Sequence, residues 1–175
     1  MRPTTLFLIL TVLGAALVLG AGTVLAETIN CPGFTCQGTD GNDTLRGTTV
    51  YDAITGFGGA DAISGFDGND NLQGDDQVDP ALDGADTIDG GPGNDLLVGR
   101  GGADVLDGGP DNDIINAEER TAFGHPPGID TIKGGRGNDQ ISASDGFADV
   151  IDCGPGVDEV TFDPGLDTLK HCEIF

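Results

Sequence analysis

Aspartates recur at a fixed spacing through most of this sequence, and carboxylates in such a pattern point to the binding of cations. Most neighbours in the series are nine residues apart, and the exceptions are intervals of 16, 17 and 10 residues. An aliphatic residue follows each aspartate by two positions, and a glycine precedes most of them by two. The series is Asp43, Asp52, Asp61, Asp70, Asp86, Asp95, Asp104, Asp113, Asp130, Asp139, Asp149 and Asp158. Aspartate, aliphatic and glycine positions that recur together at the same spacing indicate a repeated structural unit.

The residues around each aspartate predict a sharp turn followed by a very short strand. The best-preserved units read GGPGNDLLV at 90–98, GRGGADVLD at 99–107 and GGRGNDQIS at 134–142. Glycine adopts the positive φ values that such turns need. The aliphatic residue then sits between two outward-facing neighbours, as in a strand of period two. Alternating turns and strands predict a flattened coil.

Stacking the strands of such a coil places its aspartates about 4.8 Å apart. Carboxylates at that distance repel each other, so a cation is needed between them. Calcium suits carboxylate and carbonyl oxygens because it accepts six to eight ligands in a tolerant geometry, whereas magnesium demands a stricter octahedron. We therefore expect several Ca²⁺ ions, and a fold that depends on them because one aliphatic residue per unit makes a thin core.

These units resemble the G-G-x-G-x-D-x-U-x repeat of the haemolysin-type, or RTX, calcium-binding family. The resemblance implies an all-β fold, a right-handed parallel β-roll (a β-solenoid) of about twelve nine-residue units, with calcium between stacked turns. It also implies that all twelve aspartates are metal ligands, with weaker occupancy expected at Asp52, Asp86 and Asp130, where the turns depart from the motif. The bridging pairs implied are Asp43 with Asp61, Asp52 with Asp70, Asp86 with Asp104, Asp95 with Asp113, Asp130 with Asp149, and Asp139 with Asp158.

The repeats divide the chain into four predicted segments. An apolar run from Leu6 to Leu25 follows Arg2 and is typical of a secretory signal helix. An uncleaved N-terminal segment that keeps the protein on the cell surface is the alternative. The segments are a signal peptide at 1–26, an N-terminal disulfide cap at 27–37, the β-roll at 38–161 with surface-loop insertions near 75–83 and 117–127, and a C-terminal cap at 162–175.

Four cysteines in a secreted chain predict two disulfides, for which three connectivities exist. Proximity in sequence favours Cys31 with Cys36 and Cys153 with Cys172. The second bond would tie the tail to the last repeat and cap the open end of the coil. A zinc site built from these cysteines and His171 is disfavoured, because the spacing contains no C-x₂-C pair.

The charge and the motifs narrow the function classes. A net charge of −23 disfavours binding to nucleic acid or anionic membranes. The two histidines, His125 and His171, lie beside no recognisable nucleophile, so no enzyme is predicted. We expect a secreted, non-enzymatic calcium-binding protein that folds on calcium. The alternatives are a calcium-dependent surface or matrix adhesin, whose insertions or exposed Phe57 and Phe66 contact a protein or polysaccharide partner, and a hydrolase embedded in the roll.

Overall fold

The computed structural model describes residues 26–76, 81–117 and 128–173. The predicted signal segment lies outside these residues except for Ala26, and parts of both predicted insertions, 77–80 and 118–127, lie outside them too. The described residues form strands and turns and contain no helix. None of them therefore belongs to a helix able to cross a membrane.

Short strands of three to six residues follow one another along the described chain. They are β1 Thr28–Asn30, β2 Phe34–Gln37, β3 Thr44–Arg46, β4 Asp52–Phe57, β5 Ala62–Ser64, β6 Asn71–Asp75, β7 Thr87–Asp89, β8 Leu96–Val98, β9 Val105–Pro110, β10 Ile114–Asn116, β11 Thr131–Arg136, β12 Gln140–Ser142, β13 Val150–Asp152, β14 Glu159–Thr161 and β15 Thr168–Lys170. Glycine-rich turns join them, as the repeat predicts.

Successive strands alternate between two parallel sheets. The odd-numbered strands form an eight-stranded sheet in the order β1 to β15, and the even-numbered strands form a seven-stranded sheet from β2 to β14. Each strand pairs in parallel with the strand two further along the chain. One circuit through both sheets, here called a coil, therefore uses two units, and the predicted all-β parallel β-roll is confirmed. Its right-handed sense and the count of twelve units stay predictions.

The core is a double column of side chains, one aliphatic residue from each strand except β2, which contributes Cys36. Register pairing places Ile88 beside Leu106 in one sheet and Leu97 beside Ile115 in the other. These side chains are 0 or 1% exposed. Each such burial contributes about 1.5–3 kcal/mol. The core is only two side chains wide, so its strands are held in place by the turns as much as by packing.

Both sheets run past the predicted ends of the roll. Strands β1 and β2 lie in the predicted N-terminal cap and β15 lies in the predicted C-terminal cap, and all three pair with strands of the repeat. The two predicted disulfides are present, with Cα atoms 5.4 Å apart for Cys31–Cys36 and 5.0 Å apart for Cys153–Cys172. The ends of the roll are therefore extra coils tied by disulfides.

The first insertion begins later than the sequence predicts. Asp75 was expected in a surface loop, but it is the last residue of β6, pairs in register with Phe57 and is completely buried. On the other side of the insertion, Asp83 forms an isolated bridge with Gly59. The expectation failed because Asp75 still occupies the second position of a repeat turn, where β6 pairs with β4.

Candidate metal centre

All twelve predicted aspartates lie in two buried columns, one beside each sheet. Their exposed fractions are between 0 and 3%. Each aspartate stands at the end of a turn, just before or at the start of a strand, so the strand register stacks it on the aspartate of the next coil. One column is Asp43, Asp61, Asp86, Asp104, Asp130 and Asp149, and the other is Asp52, Asp70, Asp95, Asp113, Asp139 and Asp158.

A ladder of hydrogen bonds fixes the orientation of these carboxylates. The backbone N–H of each aspartate, except the last of each column, donates to Oδ1 of the aspartate one coil further along, over distances of 2.7 to 2.9 Å. The N–H of Asp70, for example, donates to Asp95, and the N–H of Asp95 donates to Asp113. One carboxylate oxygen per residue is therefore held by the backbone.

The ladder joins every aspartate pair implied by the family resemblance, and it also crosses both insertions. The additional neighbours are Asp61 with Asp86, Asp70 with Asp95, Asp104 with Asp130, and Asp113 with Asp139. Sequence spacing missed them because intervals of 16 and 17 residues broke the period. Both columns are therefore continuous across the positions of the insertions.

The second carboxylate oxygen, Oδ2, has no hydrogen-bond partner at most of these aspartates within the described residues, although it is buried. This holds for Asp61, Asp70, Asp86, Asp95, Asp113, Asp130, Asp139, Asp149 and Asp158. A buried charged oxygen without a partner costs several kcal/mol unless a cation or donor reaches it. Nine such atoms in two columns are suited to bind positively charged ligands.

The unpartnered oxygens converge with backbone carbonyls beside the first glycine of each turn. A Cβ atom added to Gly90 would lie 2.5 Å from Asp95 Oδ2 and 2.6 Å from the Gly108 carbonyl oxygen. A Cβ added to Gly108 would meet Asp113 Oδ2 at 2.5 Å and the Gly134 carbonyl oxygen at 2.6 Å. Only glycine fits there, and the oxygens around it are the hard donors that calcium prefers.

Side chains alone do not complete a metal site in this roll. Among the residues that the structure describes, no group of three or more His, Cys, Asp or Glu side chains is arranged to hold a metal. Each turn supplies one aspartate to its column, and the remaining oxygens nearby belong to the backbone. Calcium accepts carbonyl oxygens readily, whereas zinc sites need nitrogen or sulfur ligands. The donor set therefore fits calcium.

Burial raises the pKa of these carboxyls, because it disfavours their charged form. Hydrogen bonds from the ladder lower the pKa, and neighbouring carboxylates raise it again. The resulting pKa is about 6 for Asp70, Asp95 and Asp149, about 7 for Asp61, Asp113 and Asp130, and about 8 for Asp86. A cation between the coils would reverse this effect.

Two turns near the N-terminal end satisfy their aspartates differently. The backbone N–H and the hydroxyl of Thr39 both donate to Asp43 Oδ2, at 2.7 and 2.8 Å. Thr48 makes the same two bonds to Asp52 Oδ2, at 2.6 and 2.9 Å. The sequence showed that the turn before Asp52 departs from the motif, but not that threonine donates to Oδ2 there. Asp52 Oδ1 is buried and has no hydrogen-bond partner among the described residues.

Asp167 is a member of the column that the sequence analysis missed. It follows Asp158 by nine residues and precedes Leu169 by two, so the signal was present. Its Oδ1 accepts the N–H of Asp149 at 2.9 Å, and its Oδ2 accepts the N–H of Asp163 at 2.6 Å. The turn before it contains no pair of adjacent glycines, which hid the repeat.

The other predicted functional residues lie outside the columns. Phe57 was expected to be exposed but is half-buried at the end of β4. Phe66 is 38% exposed, and the guanidinium of Arg46 lies 5.1 Å from the centre of its ring. His171 lies on the surface with Nδ1 2.8 Å from Asp152 Oδ1, and His125 is outside the described residues.

Comparison with known proteins identifies the repeat. A family model described as RTX calcium-binding nonapeptide repeat (4 copies) matches residues 37–72, 81–115 and 127–160, together more than half of the chain. No curated protein and no solved structure matches it. The matched segments contain all twelve predicted aspartates. This chain therefore belongs to the RTX calcium-binding nonapeptide repeat family and binds calcium through a β-roll.

Proposed function

We propose that this protein is an extracellular, non-enzymatic β-roll that folds when several calcium ions bind between its coils. The predicted aspartates other than Asp43 and Asp52, whose Oδ2 atoms accept hydrogen bonds from threonine, supply the carboxylate ligands, and carbonyl oxygens of the turns supply the rest. The observation that carries the proposal is the buried, unpartnered Oδ2 beside a glycine of its own turn, as at Asp95 and Asp113. No protein group in the described structure donates to these atoms.

The charge balance of the molecule supports an external cation. Aspartate and glutamate number 30 against 7 lysines and arginines. The ion pairs of Lys133 with Asp107 and of His171 with Asp152 both lie on the surface, away from the columns. Each column aspartate instead stacks on the aspartates of the neighbouring coils. Burial raises the pKa of Asp95 and Asp113, and column neighbours raise it in addition, Asp70 acting on Asp95 and Asp95 acting on Asp113. Calcium neutralises that repulsion and satisfies the second oxygen.

Mass action makes folding sensitive to calcium concentration. A site with a dissociation constant of ~10⁻⁴ M, typical of extracellular modules, gains ~1.4 kcal/mol in 1 mM calcium. Several sites of that strength exceed the marginal stability of a small domain. The two disulfides support an extracellular setting, because such bonds persist in oxidising compartments.

Far-ultraviolet circular dichroism during a calcium titration tests this proposal. The purified protein is first treated with a chelator and then titrated with calcium, with magnesium as the control ion. We expect a cooperative gain of β signal with calcium and little change with magnesium at the same concentration. A fold already complete in chelator, or an equal response to both ions, would overturn the proposal.

A second function, that of a calcium-dependent surface or matrix adhesin, is favoured by exposed aromatic side chains. Phe34 is 73% exposed and Phe66 is 38% exposed, both beside the first coils of the roll. Exposed aromatic residues are frequent anchors in binding surfaces. The test is retention of the protein on bacterial surface polysaccharide with and without calcium. Retention that needs calcium and is lost in a Phe34→Ser, Phe66→Ser double variant supports it, and equal retention contradicts it.

A further inference from the structure

The first insertion starts within a turn, after the glycine that opens it. A Cβ added to Gly74 would meet Asp86 Oδ2 and would lie 2.9 Å from the Gly99 carbonyl oxygen. Gly90 has the same surroundings, with Asp95 and the Gly108 carbonyl. Gly74 is therefore the first residue of the turn that ends at Asp86, twelve residues later instead of five.

Asp75 is the second residue of that turn. The second residues of the turns before Asp43 and Asp52 are Thr39 and Thr48, whose hydroxyls donate to the aspartate that ends the turn. An ionised Asp75 brings an acceptor to the same position, where the other turns bring a donor or no side-chain donor at all. The turn that contains the insertion thus has a second carboxylate, that of Asp75, in addition to that of Asp86.

The Asp75 carboxylate is completely buried and only half satisfied. Its Oδ2 accepts the N–H of Gly84 at 3.2 Å, and its Oδ1 has no hydrogen-bond partner among the described residues. Burial, together with the carboxylates of Asp86, Asp83 and Asp104, raises the pKa of Asp75 to about 10, and the hydrogen bond from Gly84 only partly opposes this rise. No cationic side chain of the described chain is among the groups that shift it.

One turn therefore contains two buried oxygens without partners, Asp75 Oδ1 and Asp86 Oδ2, and the Asp86 carboxylate is close enough to raise the pKa of Asp75. Both residues are at most 1% exposed, and the Gly99 carbonyl oxygen lies beside the same glycine as Asp86 Oδ2. Elsewhere in the columns each turn brings one such carboxylate. Calcium affinity increases with the number of charged ligands and with the rigidity of the site.

We propose that Asp75 is an additional calcium ligand, which joins the Asp86 carboxylate and the Gly99 carbonyl and makes the site beside Gly74 the tightest of the roll. This inference rests on the proposed binding of calcium between coils. The site fills first as calcium rises, and it anchors the insertion to the middle of the roll through the Asp75–Gly84 hydrogen bond.

The test compares the purified protein with its Asp75→Asn variant in equilibrium dialysis against radioactive calcium. Asparagine keeps the size of the side chain and removes its charge. Asp67→Asn is the matched control, since Asp67 is an exposed residue of the neighbouring turn. We expect the tightest binding step to weaken about tenfold or more in Asp75→Asn, with the remaining steps unchanged, and no change in Asp67→Asn.

The ¹³Cγ chemical shift of Asp75 in the unmodified protein provides a second readout, which does not depend on how the variant folds. It is expected to move with the first equivalents of calcium, before the shift of Asp95. Equal tightest-step affinity in Asp75→Asn, or an Asp75 shift that stays constant through the titration, overturns this inference and leaves the proposed function intact. Failure of the unmodified protein to bind calcium at all would instead overturn the proposed function.

Discussion

The turns at the N-terminal end of the roll and those in its middle orient their aspartates alike but satisfy them differently. In the threonine turns, 38–43 and 47–52, the second residue donates two hydrogen bonds to Oδ2 of the aspartate. In the open turns, the second residue has a positive φ and Oδ2 has no partner within the described structure. The open turns are 56–61, 65–70, 90–95, 108–113 and 134–139.

The difference lies in the backbone of one residue per turn. Gly91 and Gly109 have φ values of 89° and 106°, which glycine adopts without strain. Phe57 and Phe66 occupy the same position with φ values of 85° and 72°, which is unfavourable for a residue with a Cβ atom. This unfavourable φ occurs in turns where Oδ2 has no partner. It is absent from the two turns in which threonine donates to Oδ2. Under the proposed function, protein donors therefore hold Oδ2 in the first two turns, and calcium would hold it in the open turns.

The largest expected difference between open turns and threonine turns is the effect on calcium binding of removing one carboxylate. Asp95→Asn removes a charged ligand from an open turn, so we expect the protein to bind at least one calcium ion fewer and to need several-fold more calcium to fold. Asp43→Asn alters a threonine turn, so we expect an unchanged number of bound ions. Equilibrium dialysis and circular dichroism measure the two quantities. An equal loss of ions in both variants would remove the distinction between the turns.

Acid should have opposite effects on the roll with and without calcium. The folded pKa values of about 6 to 8 in the columns exceed the unfolded value near 4. In chelator, the folded roll binds more protons than the unfolded chain, so its stability is greatest below about pH 4 and is lost as the pH rises to about 8. With calcium present, acid displaces the ion and destabilises the roll.

Circular dichroism between pH 4 and pH 8 measures this effect, with light scattering as a control because the pI is about 4.1. We expect the β signal in chelator to increase as the pH falls. If the β signal in chelator instead decreases as the pH falls, repulsion between the ionised aspartates of the two columns does not destabilise the roll.

Loss of one threonine hydroxyl should have a smaller effect. Thr48→Val keeps the shape of the side chain and the backbone N–H bond but removes the hydroxyl bond to Asp52 Oδ2. We expect a loss of about 1 kcal/mol in the free energy of unfolding in saturating calcium, with the number of bound ions unchanged. Urea denaturation measures it, and Thr49→Val, an exposed neighbour, is the control. A lost calcium ion in Thr48→Val would show that this turn also binds the metal.

The smallest effect is expected from the surface ion pair of Lys133 with Asp107. Their atoms are 3.0 Å apart, but both side chains are well exposed. Lys133→Met should therefore change the free energy of unfolding by only about 0.2–1 kcal/mol and leave calcium binding unchanged. Urea denaturation at low and high salt measures it. A large change in the calcium midpoint would mean that surface charges, and not the columns, control folding.

Much of this architecture could be predicted because its signals are periodic. The nine-residue phase predicted the aliphatic core and the buried aspartates, and sequence proximity predicted both disulfides. The flanking coils were missed because β1 and β2 carry Ile29 and Cys36 without a preceding aspartate in phase. Asp75 was missed because the sequence analysis assigned it to the insertion, although it occupies the second position of a repeat turn, in register with Phe57.

The choice between threonine and open turns could not be predicted either. It depends on the φ angle of one residue and on which donor reaches Oδ2, and the residue types at this position include Thr39, Phe57 and Gly91. A repeat motif specifies the glycines that permit a positive φ. It does not show that threonine, at the same position, donates a hydrogen bond to Oδ2 of the aspartate.

A crystal structure grown in calcium, with anomalous scattering data to locate the ions, tests the central claim most directly. The account predicts ions between successive open turns, within about 2.3–2.6 Å of Asp95 Oδ2 and Asp113 Oδ2, and none in contact with Asp43 Oδ2, which Thr39 already occupies. Open turns without ions, or an ion on Asp43 Oδ2 in place of Thr39, would contradict it.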